Sequence, residues 1–393
     1  MTKEQKYFLE LVRSHLNNEI PPAPPENIDF EGLFKVSEIQ NMTAIVAIEL
    51  KKLPAECRLS KENFSPFNQA LGLTLQNYEY KMQGINLLTE ALCKNGIKHL
   101  FLKGAAVREF YPVPEVRTSG DTDVVVAFSE LEKASKLLVK QGFEPKHMKL
   151  DEHVFKFCGE DYEMQSYIKS FGDAGNKFFA DTFDENKCDT ENELTYTLKP
   201  LYHLVYIVTH ILNHLKSGGA GVRQLADVDV IIRNCGIDID EFFKICKEIG
   251  IEKSSKVIVA LCKLFFDTPV DFDYEIEPEL LELMQSVILD GGTFGYGIGN
   301  VGTVRLMRTA GDDSKTSSAK AVIGLFKFDK DYLYKTYEYA RKRPILLPVA
   351  YVSRLYDAVF KRGKQNMKHI KSMFTDREVA SKMNEMLREL EIN

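Results

Sequence analysis

Phe101-Leu102-Lys103-Gly104-Ala105-Ala106 and, further along, Ser119-Gly120-Asp121-Thr122-Asp123-Val124-Val125-Val126 decide how this chain is read. Ile97 to Leu102 is a short apolar run closed by Lys103-Gly104, which predicts a buried strand. The Val-rich stretch Asp121 to Phe128 predicts the next one. Side chains alternate along a strand, so Asp121 and Asp123 project from one face, ~6–7 Å apart along the chain. Two acids that converge repel each other unless a cation sits between them. Oxygen-rich sites of this kind suit Mg²⁺, with Mn²⁺ the alternative. A third carboxylate on a neighbouring strand would complete a two-metal site, and Glu163 in Tyr162-Glu163-Met164-Gln165 fits, with Gln165 on its face. At the Lys103-Gly104 turn, glycine permits close backbone approach and the following helix N-terminus offers N–H groups to a phosphate. Lys103 and Arg117 would bring positive charge to triphosphate oxygens. Each residue also has a plainer reading. The acids can form a solvated strand edge, Lys103 can pair with Glu163, and Arg117 can sit in a structural salt bridge.

Outward from this stretch the pattern changes on both sides. Residues 1–95 read as helices, with Phe8, Leu9, Leu11, Val12 and Leu16 at helical spacing, a stiff Pro21–Pro25 linker, and helical stretches over 30–53 and 64–95. Within the central unit, Ala105 to Tyr111 predicts a short helix. Ser129 and Glu132 match a capping box for a helix ending at Gln141-Gly142, and strands are expected at 153–157 and 162–168 around Gly159-Glu160-Asp161. From Leu201 onward the chain reads as helices at 201–216, 222–234, 239–248, 253–266 and 278–289, and over most of 317–390. The expected class is α+β, a small mixed β-sheet core with flanking helices and a mainly helical C-terminal region. The domain expectation is 1–95, 96–200 and 201–393.

At 393 residues the chain is long enough for a substantial core. A hydrophobic share of 44% with 27% charged residues argues against wholesale disorder and a membrane-spanning bundle. A net charge of −6 argues against a protein that coats nucleic acid, so nucleic acid is not an expected partner. The seven cysteines are odd in number, with no Cys-x-x-Cys pair, which reads as free thiols rather than a disulfide framework or zinc ribbon. The charged N-terminus has no apolar core of a secretory signal, and the apolar run Ile345 to Val352 is too short to span a membrane, so the expected location is cytoplasmic. Gly297-Ile298-Gly299-Asn300-Val301-Gly302 matches a dinucleotide fingerprint formally, but it follows a helix rather than a strand. Ser217 to Gly221 lacks a P-loop ending and reads as a turn. The basic residues Lys361, Arg362, Lys364, Lys368 and Lys371 read as a solvated helix face. His203, His210 and His214 fall on one helical stripe, open to a helix-packing, a metal or a phosphate role.

The central stretch resembles the DNA polymerase β-like nucleotidyltransferases, whose first strand ends in a Gly-Gly/Ser turn and whose second carries Asp-x-Asp or Asp-x-Glu. It is most similar to the uncharacterised nucleotidyltransferase family of bacteria. The similarity rests on Phe101–Ala106, Tyr111-Pro112, Arg117, Asp121-Thr122-Asp123-Val124-Val125-Val126 and Gly142-Phe143. It extends loosely through His210, His214, Arg223-Gln224-Leu225-Ala226-Asp227 and Gly291–Gly295. Two departures stand out: Gly104-Ala105 lacks the serine hydroxyl, and Glu163-Met164-Gln165 stands where the family often has Asp-Leu-His.

The resemblance implies transfer of an NMP from an NTP, ATP in the first place, to a small-molecule, saccharide or protein acceptor, with pyrophosphate leaving. It implies Asp121, Asp123 and Glu163 as catalytic and metal-binding residues. For the nucleotide it implies Lys103, Gly104, Ala105, Arg117, Ser119, Gly120, His210 and His214. The missing serine keeps open a second reading, a nucleotide- or partner-binding module built on the same fold.

Overall fold

A computed structural model describes residues 1–292, 330–356 and 377–392. Its centre is one seven-stranded mixed sheet in the order β3-β4-β5-β2-β1-β7-β6. The strands are β1 (His99–Leu102), β2 (Asp121–Val126), β3 (Glu144–Met148), β4 (Glu152–Phe157), β5 (Glu160–Gln165), β6 (Cys188–Thr190) and β7 (Thr195–Leu198). The short apolar β1 is buried along its whole length, as a central strand covered on both faces must be. It runs antiparallel to β2 and parallel to β7, and β2 runs parallel to β5.

Helices precede and follow the sheet. The first are α1 (Lys3–Asn17), α2 (Phe30–Ile39), α3 (Thr43–Lys52) and α4 (Lys61–Lys94). Short helices α5 (Gly104–Val107), α6 (Leu131–Lys140) and α7 (Gly172–Phe178) lie within the sheet unit. Then come α8 (Pro200–Ser217), α9 (Val222–Asn234), α10 (Ile239–Glu248), α11 (Glu252–Phe266) and α12 (Pro278–Gly291). Four further helical pieces, Lys330–Thr336, Glu338–Lys342, Leu347–Tyr356 and Arg377–Glu389, fall in the region expected to be helical, and the rest of 317–390 lies outside the described residues.

The two sheet faces have different partners. Val124, Val126, Tyr162 and Met164 join Leu88 and Leu92 of α4 and Leu131, Ala134 and Leu138 of α6. Leu100, Leu102 and Val125 join a larger core that takes in α1, α3, α8, α9, α11 and Met383, Met386 and Leu387 near the C-terminus. Val125 shares a face with Asp123 by strand alternation, so the carboxylates lie on the side covered by α8 and α9. The opposite side is held tightly by α4. A Cβ added at Gly84 would stand 1.9 Å from the hydroxyl of Tyr162, which donates to the Lys81 carbonyl at 3.1 Å.

The structure corrects several local expectations. The stretch 30–53 is two helices, separated at Gln40-Asn41-Met42 with Asn41 in the left-handed region (φ 53°). The Gln40 amide donates to the carbonyls of Ile288 and Leu289 on α12, so tertiary bonds set that break. Ser129 lies inside a 3₁₀ turn, Phe128–Glu130, and caps nothing; α6 starts after it without a side-chain cap. Strands β3, β6 and β7 and helix α7 were not expected. All seven cysteines are free. No described helix is long and apolar enough to cross a membrane.

Candidate active site

The register of the sheet assembles the site. Asp123 is paired with Leu102 of β1 on one side and with Glu163 of β5 on the other, and Asp121 lies opposite Asp161. Because β2 and β5 are parallel neighbours, Asp121, Asp123 and Glu163 share one face, and each offers a carboxylate oxygen within 4.8 Å of the other two. Asp123 is 1% exposed, while Asp121 and Glu163 are half-buried.

Two donors answer these acids. Lys103, at the end of β1, donates from Nζ to Asp123 Oδ1 at 2.7 Å. Its backbone is held at φ 49°, ψ −128°, a conformation that costs a non-glycine residue energy and is kept only where the surroundings enforce it. Gln165 donates to Asp123 Oδ1 at 3.1 Å and to Glu163 Oε1 at 2.6 Å. The amide thus takes the position where the family often has histidine, and bridges two of the three acids. The plainer reading of Lys103 pairs it with Glu163; its partner is Asp123 instead.

The electrostatics of the cluster are those of excess negative charge. Burial, and then the neighbouring Asp123 carboxylate, push the Glu163 carboxyl up to about 7. Burial raises the proton affinity of Asp123 as well; Lys103 opposes the shift and Asp121 adds to it. Burial works against the Lys103 ammonium, yet the adjoining Asp123, together with Tyr206 and Asp121, more than compensates, so it stays charged. Three carboxylates against one ammonium and one amide form a donor set that fits a hard divalent cation.

Beside the cluster opens a pocket of about 400 Å³, walled by Lys103, Gly104, Ser119 and Asp121 from the sheet side and by His210, His214 and Arg223 from α8 and α9. Gly104, Ser119 and Gly120 line it, and Ala105 does not: it packs among the residues on the α4 side of the sheet. Arg117 does line the pocket, but its guanidinium grips Asp227 of α9, Nε to Oδ1 at 3.1 Å and Nη2 to Oδ2 at 2.5 Å, and the Tyr111 hydroxyl donates to the same carboxylate at 2.8 Å. Its salt-bridge reading is thus realised, while Nη1 stays buried without a hydrogen bond. Gly104 is what admits it, since a Cβ there would stand 2.0 Å from that Nη1.

The histidine stripe divides. His210 and His214 face the pocket with their Nε2 atoms 2.8 Å apart, and burial together with nearby Lys103 holds both imidazoles neutral, His214 down to about 4. His203 is buried about two turns before His210, its Nε2 without a partner. The described residues hold no three-ligand cluster that includes a histidine.

Arg223 belongs to this site although sequence reading did not assign it there. It donates from Nη1 to the Thr118 carbonyl at 2.6 Å, and its buried Nε has no partner. Burial, with Arg117 nearby, pushes it down to about 10. The available signal was its place in the first turn of α9, where the helix dipole disfavours a cation. The formal fingerprint at Gly297–Gly302 and the basic residues Lys361–Lys371 lie outside the described residues.

A family model described as uncharacterised nucleotidyltransferase matches residues 26–267. The chain belongs to that family. The match spans α2 through the end of α11 and so contains every element of this nucleotidyltransferase-like site. Membership supports a nucleotidyl-transfer role with an NTP as substrate. Neither the curated proteins nor the solved structures provide a match.

Proposed function

We propose that the protein moves an NMP from an NTP, ATP being the first to test, to an acceptor hydroxyl, with release of pyrophosphate, and that residues 96–200 are its nucleotidyltransferase unit. The observation that carries this reading is the convergence of Asp121, Asp123 and Glu163 within 4.8 Å beside a pocket rimmed by cations. Asp121, Asp123 and Glu163 would hold Mg²⁺ or Mn²⁺. When bound, such an ion supplies charge neutralisation at phosphate oxygens. Lys103, Gly104, Ser119, Gly120 and Arg223 receive the triphosphate, with Arg117 lining the same space. His210 and His214, held neutral, offer hydrogen bonds without adding charge. The acceptor oxygen forms a bond to the α-phosphorus as the bond to pyrophosphate breaks. The acceptor's proton passes to a nearby carboxylate, and Glu163, on the neighbouring strand, is the candidate for that task. Catalysis of this kind is mostly positioning and charge stabilisation.

A second reading has its own observation. Lys103 is already committed to Asp123, and Ala105 brings no hydroxyl, which favours a module that binds nucleotide without transferring it. Incubation with α-labelled and γ-labelled NTPs, Mg²⁺ and a cell extract separates the two. Transfer of the α label alone, lost in Asp121→Asn/Asp123→Asn, is the expected outcome. Tight NTP binding with no label transfer and no pyrophosphate release would favour the module.

A further inference from the structure

Behind the loop of Arg117, Thr118 and Ser119 lies a second cavity, of about 140 Å³, walled by Asn77, Tyr78 and Lys81 of α4 and by Arg108, Glu115 and Glu160. Of its lining it shares only Arg117 and Ser119 with the nucleotide pocket. Arg108 is the unusual group. It is 2% exposed and ranks among the largest fully buried side chains. Its Nε donates to the Gly104 carbonyl at 3.0 Å, its Nη2 reaches Ser119 Oγ at 3.4 Å, and its guanidinium lies 5.4 Å from the Tyr78 ring centroid. The neighbouring cations have carboxylate partners, Lys81 in Glu160 at 2.8 Å and Arg117 in Asp227 at 2.5 Å. Among the described residues Arg108 has none within 4.0 Å.

A charge withdrawn from water without a counter-charge is costly, and leaving it so beside two other cations adds repulsion. The cost falls away when an anion enters. The room is that of a single phosphate group with a few waters, at about 30 Å³ per water, and not that of a nucleotide. Lys81 also donates to the Ser119 carbonyl at 2.9 Å and hydroxyl at 2.8 Å, which with Glu160 takes up its three N–H donors, whereas Arg108 keeps N–H groups to spare. Glu160 is taken up by Lys81; Glu115 is half-buried, has no cation paired to it among the described residues and opposes an anion.

We propose that this cavity is an oxyanion site for a phosphate group, hydrogen-bonded by Arg108 beside the Lys81 ammonium and bordering the nucleotide pocket across Ser119. The group can be free inorganic phosphate or the phosphate of a phosphomonoester. Because Ser119 runs directly into Gly120 and Asp121, occupancy bears on the loop that leads to the carboxylates. The proposal does not depend on nucleotidyl transfer: it stands if label transfer fails, and can fail if transfer succeeds.

Calorimetric titration of the full chain, free of divalent cations, with inorganic phosphate and with glycerol 3-phosphate tests it. Saturable binding of phosphate marks a free oxyanion, and binding of glycerol 3-phosphate alone marks the phosphate of a larger molecule. Arg108→Gln weakens that binding by about tenfold or more, the scale of a lost charge-assisted hydrogen bond. Asn77→Asp, on the exposed side of α4, weakens it too by placing a carboxylate at the cavity without touching the bonds of Arg108. Glu115→Gln tightens it, and His214→Glu, which places a carboxylate in the other pocket and away from the loop of Arg117 to Ser119, leaves it unchanged. Absence of binding by both ligands overturns the proposal. So does binding that survives both Arg108→Gln and Asn77→Asp, or that is lost in His214→Glu instead.

Discussion

Gly104 shows how much of the site depends on a missing side chain. Arg117 can neither retreat from Gly104, because Asp227 holds it by two bonds, nor be reached by a larger residue there. Gly104→Ala is therefore expected to destabilise the fold by about 1–3 kcal/mol, the usual cost of overpacking, and to raise the KM for NTP as the Arg117–Asp227 pair shifts. Urea denaturation and steady-state kinetics measure both; wild-type values in each would refute the packing argument. The sequence could present Arg117 as a nucleotide ligand or as a salt-bridge partner, but not choose, because Asp227 is distant in the chain and only the docking of α9 brings it near. Lys103 was open for the same reason: its partner Asp123 is set by the β1–β2 register. Asp121 and Asp123 were legible because strand alternation alone puts them on one face.

At the scale of elements, what repeats over a sufficient length was legible. Helices α8 to α12 follow apolar periodicity and lie within a few residues of their expected bounds, and α9 and α10 match at both ends. Strands β1, β2, β4 and β5 announce themselves by apolar or Val-rich runs, or by the turn at Gly159. Strand β3, Glu-Pro-Lys-His-Met, is exposed at every residue and sits at the edge of the sheet, so no buried face imprints a pattern on it. Strands β6 and β7, of three and four residues, are too short to carry one. The break between α2 and α3 contains neither glycine nor proline. It exists because Gln40 bonds α12 and the Asn41 carbonyl accepts the Thr118 hydroxyl at 2.5 Å, which ties the N-terminal helices to the loop leading into β2. Lys81 ties α4 to the same loop through Ser119 and to the start of β5 through Glu160. The helices before the sheet are thus part of what positions the carboxylates.

At the scale of the whole molecule, neutral buried imidazoles couple stability to pH. His203 is pushed down to about 4, mainly by burial, and His214 likewise. An unfolded imidazole takes up its proton near 6.5, so between there and 4 the unfolded chain binds more protons than the folded one. The stability is complete above 6.5 and drains as pH falls. Glu163 works in the opposite sense, since its raised proton affinity favours the folded state below its unfolded value and is lost as pH rises toward 7. Comparing a single variant isolates one group. His203→Leu is expected to reduce the loss of unfolding free energy between pH 7 and pH 5 by about 2 kcal/mol, whatever its effect on absolute stability. Urea denaturation at the two pH values checks this, and an unchanged difference would mean that His203 is not held neutral.

Three carboxylates share one sheet face, and the proposed function gives them a divalent cation and the nucleotide it accompanies. Titration of the full chain with Mn²⁺, following the free ion by electron paramagnetic resonance with and without ATP, tests this most directly. The expected result is saturable binding that ATP tightens and that Asp121→Asn/Asp123→Asn abolishes. Wild-type protein that leaves Mn²⁺ free, or a double variant that binds it as well as wild type, would contradict the account.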